Sequence, residues 1–504
     1  MPLHAILVLL VLLVLPVRSA HCQAHSTPTT VDSWARASAL IDSAVAAHGG
    51  IDAVRAVRKL QVRIEGQDYH RNQSRRVAAP YDSTPRIVHY FSDLARERMV
   101  VEQTTGFPGG FRYTNRFVSD SARHYAVNVR AQTYSNQQYP PASQQYGNLF
   151  QVPQGYLMVA AESAPALRRY IGRTRLSSGA VVDAVVVFFP NTTVTLGFDP
   201  TSHRLRSVMG VGMDAFLGDA ALDTEFLDYR MIDGVLLPAR AQLWRAGEMT
   251  REMRYISAAA GQAIPDSLLA PPVGSAVLPP APAPDPLRVL GPGVWAIRGG
   301  GSWQVLVEFA DHLMVLDASP NAASTVIRRA AELAPGKPIR YVVPTHHHDD
   351  HFGGVRHYTA VGATTVTTAG NVDYFKRIMA APQSTLLPGQ SPPQPSNRLE
   401  VLTGKRRVFT DGRRTVEIHE IASPHATEML VAWLPAEGVL FQGDLIEAPN
   451  AIAQRGANAE TTTHLAEFIR RQGWQVKEYG GVHGFLTSPQ EFEKLVQLPM
   501  LPIR

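Results

Sequence analysis

Apolar and polar positions alternate along much of the first half of the chain. Leu60, Val62 and Ile64 interleave with Gln61, Arg63 and Glu65, the period of a half-buried strand. Runs of the same kind recur at 85–90, 96–103, 111–118, 181–189, 193–198, 203–208 and 235–244, several joined by turn signals such as Asp199-Pro200 and Asp233-Gly234. Ahead of them the period lengthens. Trp34, Ala37, Ile41, Ala44 and Val45 fall on one helical face, with Asp32 or Ser33 available as a cap and Gly49-Gly50 to end the helix. The pattern predicts a β-rich N-terminal domain led by one helix.

The second half mixes the two periods. Gln304–Phe309, Leu313–Leu316, Ile339–Val343 and Val416–Ile421 read as strands, and the stretch from Asn321 to Leu333 reads as a helix. EMLVAWLPAEGVLFQGD has the form of a hairpin, and Ser488-Pro489-Gln490-Glu491 is a capping box that starts a last helix. Between the halves, Pro265, Pro271, Pro272, Pro279, Pro280, Pro282, Pro284, Pro286 and Pro292 crowd one segment. That density excludes helix interiors and central strands and predicts an extended connector. The expected division is 1–24 as a signal peptide, 25–263 as the β-rich domain, 264–286 as the linker and 287–504 as a second domain.

Composition narrows the function classes. The chain has 504 residues, 45% hydrophobic and 18% charged, enough to bury sizeable cores and too apolar for a disordered protein. Its net charge is +5, but the basic residues are scattered, so a solvated surface is expected and no nucleic-acid partner. Cys22 is the single cysteine, which rules out an intrachain disulfide, cysteine-based zinc fingers and iron–sulfur centres. Ala5 to Val17 is almost purely apolar and short for a bilayer span, and Cys22-Gln23-Ala24 offers the small residues a signal peptidase reads. Cleavage after Ala24 and export to a periplasmic or extracellular location are expected, with an uncleaved anchor as the alternative. No membrane span is expected after cleavage.

Chemistry gathers beyond the connector. Strand-like Ile339–Val343 runs into Thr345-His346-His347-His348-Asp349-Asp350-His351-Phe352-Gly353-Gly354. Imidazole and carboxylate donors on one tight loop suit zinc or iron. His346 and His348, two apart on an extended segment, aim at one ion, while Asp350 and His351 reach a second. The glycine pair lets the loop turn sharply and pack closely. This T-H-x-H-x-D-H-x-G-G pattern resembles the hallmark of the metallo-β-lactamase superfamily. The family's order of further ligands is filled by His425 in Ser-Pro-His-Ala-Thr, Asp444 after the hairpin and His483 in Tyr-Gly-Gly-Val-His-Gly.

The resemblance implies an αββα metallo-β-lactamase sandwich, so that the whole chain is α+β, a β-rich domain with a curved antiparallel sheet followed by the sandwich. It implies His346, His348 and His425 at a first ion, Asp350, His351 and His483 at a second, and Asp444 bridging both. Two Zn2+ ions per chain follow, iron and manganese being the alternatives, with Asp350 also catalytic. All these ligands lie past the connector, so residues from about 287 onward are expected to fold and bind metal alone. His347 and Asp349 occupy variable slots, where exposure or a loop contact is expected. Asp317, at a strand end, is expected to orient a ligand. His312, His357, His419 and His464 have no partner pattern and are read as structural or exposed. FDPTSHRLRSV and DYRMIDGVLLPAR in the first half look like strand pairs of LolA-like lipoprotein-carrier folds, in which a curved sheet wraps a helix.

The reaction the resemblance implies is hydrolysis of an ester, lactone, amide, thioester or phosphoester of a small-molecule substrate, by a hydroxide held between the two ions. The alternatives are an iron-containing oxidative enzyme of the same fold and a binding protein for apolar ligands, with aromatic-rich Phe111–Tyr146 lining a groove. The hairpin is similar to that of class B β-lactamases, but the ligand set is closer to glyoxalase II and the lactonases. Asp444 stands where many class B enzymes carry cysteine, and His351 where they carry arginine. Glu447 stands where the cysteine-bearing enzymes carry the lysine that receives the substrate carboxylate, so efficient β-lactam hydrolysis is not expected unless another group, such as Arg455, receives it.

Overall fold

The computed structural model describes residues 30–498 apart from 109–110, 122, 130–131, 137–151, 190–191, 215–216, 278–285, 382–397, 447–459 and 485. The signal-peptide segment 1–24, Glu447, Arg455, the end of the aromatic-rich stretch and part of the connector lie outside the described residues. Among the described residues no helix is long and apolar enough to cross a membrane.

The N-terminal region is built on one 14-stranded sheet. Lys59–Tyr69 lies near its centre, paired antiparallel on one side with Ser83–Asp93 and on the other with Glu248–Ala260. Successive hairpins extend the sheet both ways, to Thr133–Asn136 in one direction and to Arg168–Arg175 in the other. Every strand run read from the alternation is present. A strand outside those runs is Gly218–Ile232, which buries Ala220 and Phe226 on one face and Asp223 and Glu225 on the other. Glu225 is tolerated there because Arg206 lies 2.9 Å away and Ser178 Oγ donates to it at 2.7 Å.

The helix Thr30–Ala47 packs on one face of this sheet, burying Ala37, Ile41 and Ala44 against a core that includes Leu60, Val62, Leu196, Phe226 and Tyr255. It begins earlier than expected, so Asp32 and Ser33 lie within it. Ser33 is buried and donates to the carbonyl of Tyr170 at 2.8 Å, while Trp34 is 39% exposed and off the packed face. The proline-dense segment is not extended throughout. Asp266–Leu269 forms a helical turn directly after Pro265, Ile264 and Leu269 are buried with Val100, Val118 and Tyr125, and Ala276–Val277 pairs parallel with the sheet edge at Thr133–Tyr134. Proline at the entry of a turn sacrifices no hydrogen bond, which is how the segment accommodates one.

The C-terminal domain is a sandwich. Its first sheet has seven strands, from Leu287–Gly291 through Ser302–Glu308, Leu313–Leu316 and Ile339–Val343 to Leu399–Val401. Its second has five, Arg406–Thr410, Thr415–Ile421, Met429–Leu434, Val439–Gln442 and Glu478–Gly481. Val305, Val307, Met314 and Leu316 meet Val416, Ile418, Leu430 and Phe441 between the sheets. The helices Pro320–Leu333, Val355–Ala360 and Val372–Ala380 cover the first sheet, and Glu460–Gln472 and Pro489–Gln497 the second. The last of these starts at the predicted capping box, with both reciprocal bonds of Ser488 and Glu491 formed.

The two parts are docked. Val77 and Leu217 pack against the cluster that holds Phe352, Tyr374 and Phe375, and Arg377 pairs with Glu248 at 3.2 Å. The folded state also depends on the apolar face of the leading helix. Ile41→Ala removes a fully buried side chain and should cost about 2–5 kcal/mol. Urea unfolding checks this, and a loss below half a kcal/mol would mean the helix does not contribute to the core.

Candidate metal centre

The predicted ligands sit where strands end. Ile339–Val343 leads through Pro344 and Thr345 to His346 and His348, and a short helix Asp349–Phe352 then presents Asp350 and His351. His425 follows Thr415–Ile421, Asp444 follows Val439–Gln442, and His483 follows Glu478–Gly481. These strand ends lie along one edge of the sandwich. Two contacts join the sheets there, Leu430 N donating to Thr345 O at 2.6 Å and Trp303 N to Val482 O at 2.9 Å, while Asp317 N donates to Val343 O at 2.8 Å within the first sheet.

All seven residues come together in two groups that share one carboxylate. His346, His348, His425 and Asp444 form one, and Asp350, His351, His483 and Asp444 the other, with the donor atoms of each within 4.8 Å of one another. His346 Nε2 faces His425 Nε2 at 3.1 Å, and His483 Nε2 faces His351 Nε2 at 3.2 Å. Asp444 reaches His351 Nε2 at 3.0 Å through Oδ1 and His425 Nε2 at 3.3 Å through Oδ2. Ring nitrogens facing one another at these distances beside a shared carboxylate suit a bound cation. His348 Nδ1 adds to this, being buried without a hydrogen-bond partner. The donor set is all imidazole and carboxylate, which fits a borderline divalent ion such as zinc.

Electrostatics differ between the groups. Burial, reinforced by the surrounding rings, holds His346 and His348 well below the ordinary imidazole range, so both are neutral donors. In the second group burial works against charge, but the carboxylates of Asp444, Asp350 and Asp317 outweigh it and raise His351. His483 is raised in the same way by Asp444 and Asp350. Burial opposes ionisation of Asp350 and Asp444 as well, yet the neighbouring His351 and His483 hold both carboxylates below their usual range. The carboxylates are therefore ionised and ready to ligate.

Supporting contacts fix the rings. His351 Nδ1 donates to Asp317 Oδ2 at 3.0 Å, and Thr345 Oγ1 donates to the same oxygen at 2.7 Å. Asp317 thus orients a ligand, as its place at a strand end suggested. It adopts a left-handed backbone, φ 68, which Asp tolerates better than most residues. The glycine pair serves only one of its expected purposes. Gly353 and Gly354 have ordinary negative φ, but a Cβ on Gly354 would lie 2.6 Å from the carbonyl oxygen of Ala318. Close packing, not a sharp turn, requires glycine there.

His347 and Asp349 are not exposed. Burial lowers His347 to about 4, and its Nε2 donates to Ser74 O at 2.8 Å. Asp349 accepts from Gln73 Nε2 at 2.5 Å. Both partners belong to the N-terminal region, as do two further contacts to ligands: Gln73 Nε2 to Asp350 Oδ1 at 2.9 Å, and His348 Nε2 to Ser74 O at 3.0 Å. The expectation that everything beyond the connector forms the centre unaided leaves these contacts out. No sequence signal pointed to Gln73 or Ser74, which sit in an ordinary polar loop. The remaining histidines follow expectation: His312 stacks on Phe309, His419 lies edge-on to Trp474, and His464 is at the surface.

The centre is closed on one side and open on the other. His346, His348 and His351 are buried, whereas the Asp350 side chain is 37% and that of His483 42% exposed. The open side is the one that carries Asp350 and His483. Several solved structures are similar to part of this chain. A metallo-beta-lactamase from Pontibacter korlensis is 18% identical, aligned over 42% of this chain and 96% of its own, with a TM-score of 0.33. The metallo-beta-lactamase FIM-1 from Pseudomonas aeruginosa, solved in a mono-zinc form, is 21% identical over 43% and 96%, with a TM-score of 0.33. DIM-1 metallo-beta-lactamase is 15% identical over 42% and 95%, again at 0.33. The family described as the metallo-beta-lactamase superfamily matches residues 297–472, so the C-terminal part of this chain is a metallo-β-lactamase superfamily domain.

Proposed function

We propose that the protein is a dinuclear metal-dependent hydrolase, with zinc in both positions, acting on a small acyl or phosphoryl substrate. The observation that carries this reading is the pair of donor groups joined through Asp444. His346, His348 and His425 would hold one ion, Asp350, His351 and His483 the other, with Asp444 between them. Bound there, the cations would supply Lewis acidity, enough to lower the pKa of a water from about 15.7 toward 7.

The chain's own residues supply orientation and proton handling. Asp350 lies at the open side, ionised, with Oδ1 held by Gln73 and Oδ2 2.8 Å from His483 Nε2. An ionised carboxylate in that position can orient an attacking water and accept its proton. The buried histidine side of the centre excludes bulk water, which strengthens every charge interaction at the opening.

Two variants test the assignment. His346→Ala combined with His348→Ala should remove the first ion and abolish turnover, measured as metal content per chain and hydrolysis rate; undiminished turnover refutes the ligand set. Asp350→Asn keeps the size and loses the charge, and should lower kcat by about 10²–10⁴-fold while the first ion stays bound. A kcat within a factor of three of wild type would remove Asp350 from the chemistry.

Substrate charge follows from Glu447. If this glutamate faces the incoming ligand, a carboxylate-bearing β-lactam meets a like charge worth about 1–4 kcal/mol, roughly tenfold to a thousandfold in binding. A neutral lactone or ester should be the better substrate, and Glu447→Lys should improve the β-lactam. High efficiency on the β-lactam in the unmodified protein, unchanged by Glu447→Lys, contradicts this preference.

A further inference from the structure

The N-terminal loop between the strands Lys59–Tyr69 and Ser83–Asp93 reaches the metal centre from a separate sheet. It is held at its base. Arg71 is buried and pairs with Asp214 at 3.1 Å and Glu248 at 3.2 Å, and His70 N donates to Asp82 O at 2.9 Å. Across the loop, Ser74 Oγ donates to Asp82 Oδ2 at 3.1 Å and accepts from Asp82 N at 2.9 Å. So braced, the loop meets both segments that carry first-group histidines. Asp349 N donates to Asn72 O at 3.2 Å, and Thr427 N, two residues past His425, donates to Arg75 O at 2.9 Å.

We propose that this loop is part of the metal centre: the Gln73 carboxamide is a positioning residue for Asp350, and the Ser74 carbonyl fixes the ring of His348. The inference rests on the two-ion reading above. A carboxylate with both oxygens free can rotate away from a cation. Here Gln73 Nε2 holds Oδ1 of Asp350, which leaves Oδ2 directed at the second donor group. The same amide donates its other hydrogen to Asp349, so two adjacent carboxylates share one neutral donor. Neutrality matters. A lysine or arginine in this place would compete with the metal for Asp350, and a glutamate would add a third negative charge. At His348, the Ser74 carbonyl can only accept, so Nε2 carries the proton and Nδ1, buried and otherwise unpartnered, presents its lone pair to the first group.

The test uses the full-length chain, Zn2+ and Co2+ as probes, and Gln73→Leu beside wild type. Wild type should take up two equivalents of either ion. Gln73→Leu should retain the first equivalent and the wild-type Tm, bind the second about 10–100-fold more weakly, and show an altered cobalt absorption spectrum for that equivalent. Arg377→Ala, which breaks the Glu248 pair at the docked surface away from the ligands, should leave both affinities and the spectrum unchanged. A Gln73→Leu chain with both wild-type affinities and an unaltered spectrum overturns the positioning role. An equal loss in Arg377→Ala also overturns it, since docking in general would then be the cause. If Gln73→Leu does not fold, Gln73→Ala carries the same comparison, and failure of both to fold makes the loop a folding element and refutes the proposal. Wild type with fewer than two equivalents overturns the two-ion reading itself, and this inference with it.

Discussion

Bringing five imidazoles and two carboxylates to one point is unfavourable unless something else holds them, because each is a polar group giving up water for neighbours of the same kind. In this protein the sandwich provides the hold. The ligands leave the ends of strands whose interiors are packed between two sheets, and backbone bonds such as Leu430 N to Thr345 O tie the sheets together beside the site. Fixing the backbone of each ligand in this way moves the cost of convergence into the core, where apolar burial offsets it.

Charge is then balanced locally. In the first group burial holds His346 and His348 below the ordinary imidazole range, and in the second the carboxylates raise His351 and His483. Asp444 belongs to both, so the two groups are electrically linked through one residue. Around them a ring of orienting contacts comes from two places. Asp317 and Thr345 act from within the sandwich on His351, and Gln73 and Ser74 act from the N-terminal loop on Asp350 and His348. The large N-terminal sheet thereby gains a structural connection to the centre that its own sequence does not advertise, since it contributes none of the seven donors.

The sequence alone determined a good deal. Strand and helix positions followed from apolar period, the last helix from its capping box, and the seven converging side chains from the spacing of a loop motif and its resemblance to a known superfamily. These signals are local: a strand, a cap or a ligand loop is written in consecutive residues, and short-range sterics and hydrogen bonding decide it. Tertiary structure alone decided the rest. Trp34 turns outward because the helix packs through Ser33, Ala37, Ile41 and Ala44, and the connector takes a helical turn because Ile264 and Leu269 find a core to enter. Gln73 and Ser74 meet the metal loop from 276 and 273 positions away in the chain, a contact that requires two folded domains to dock. Nothing in a stretch of polar residues can announce it, because the partners exist only once both folds are formed.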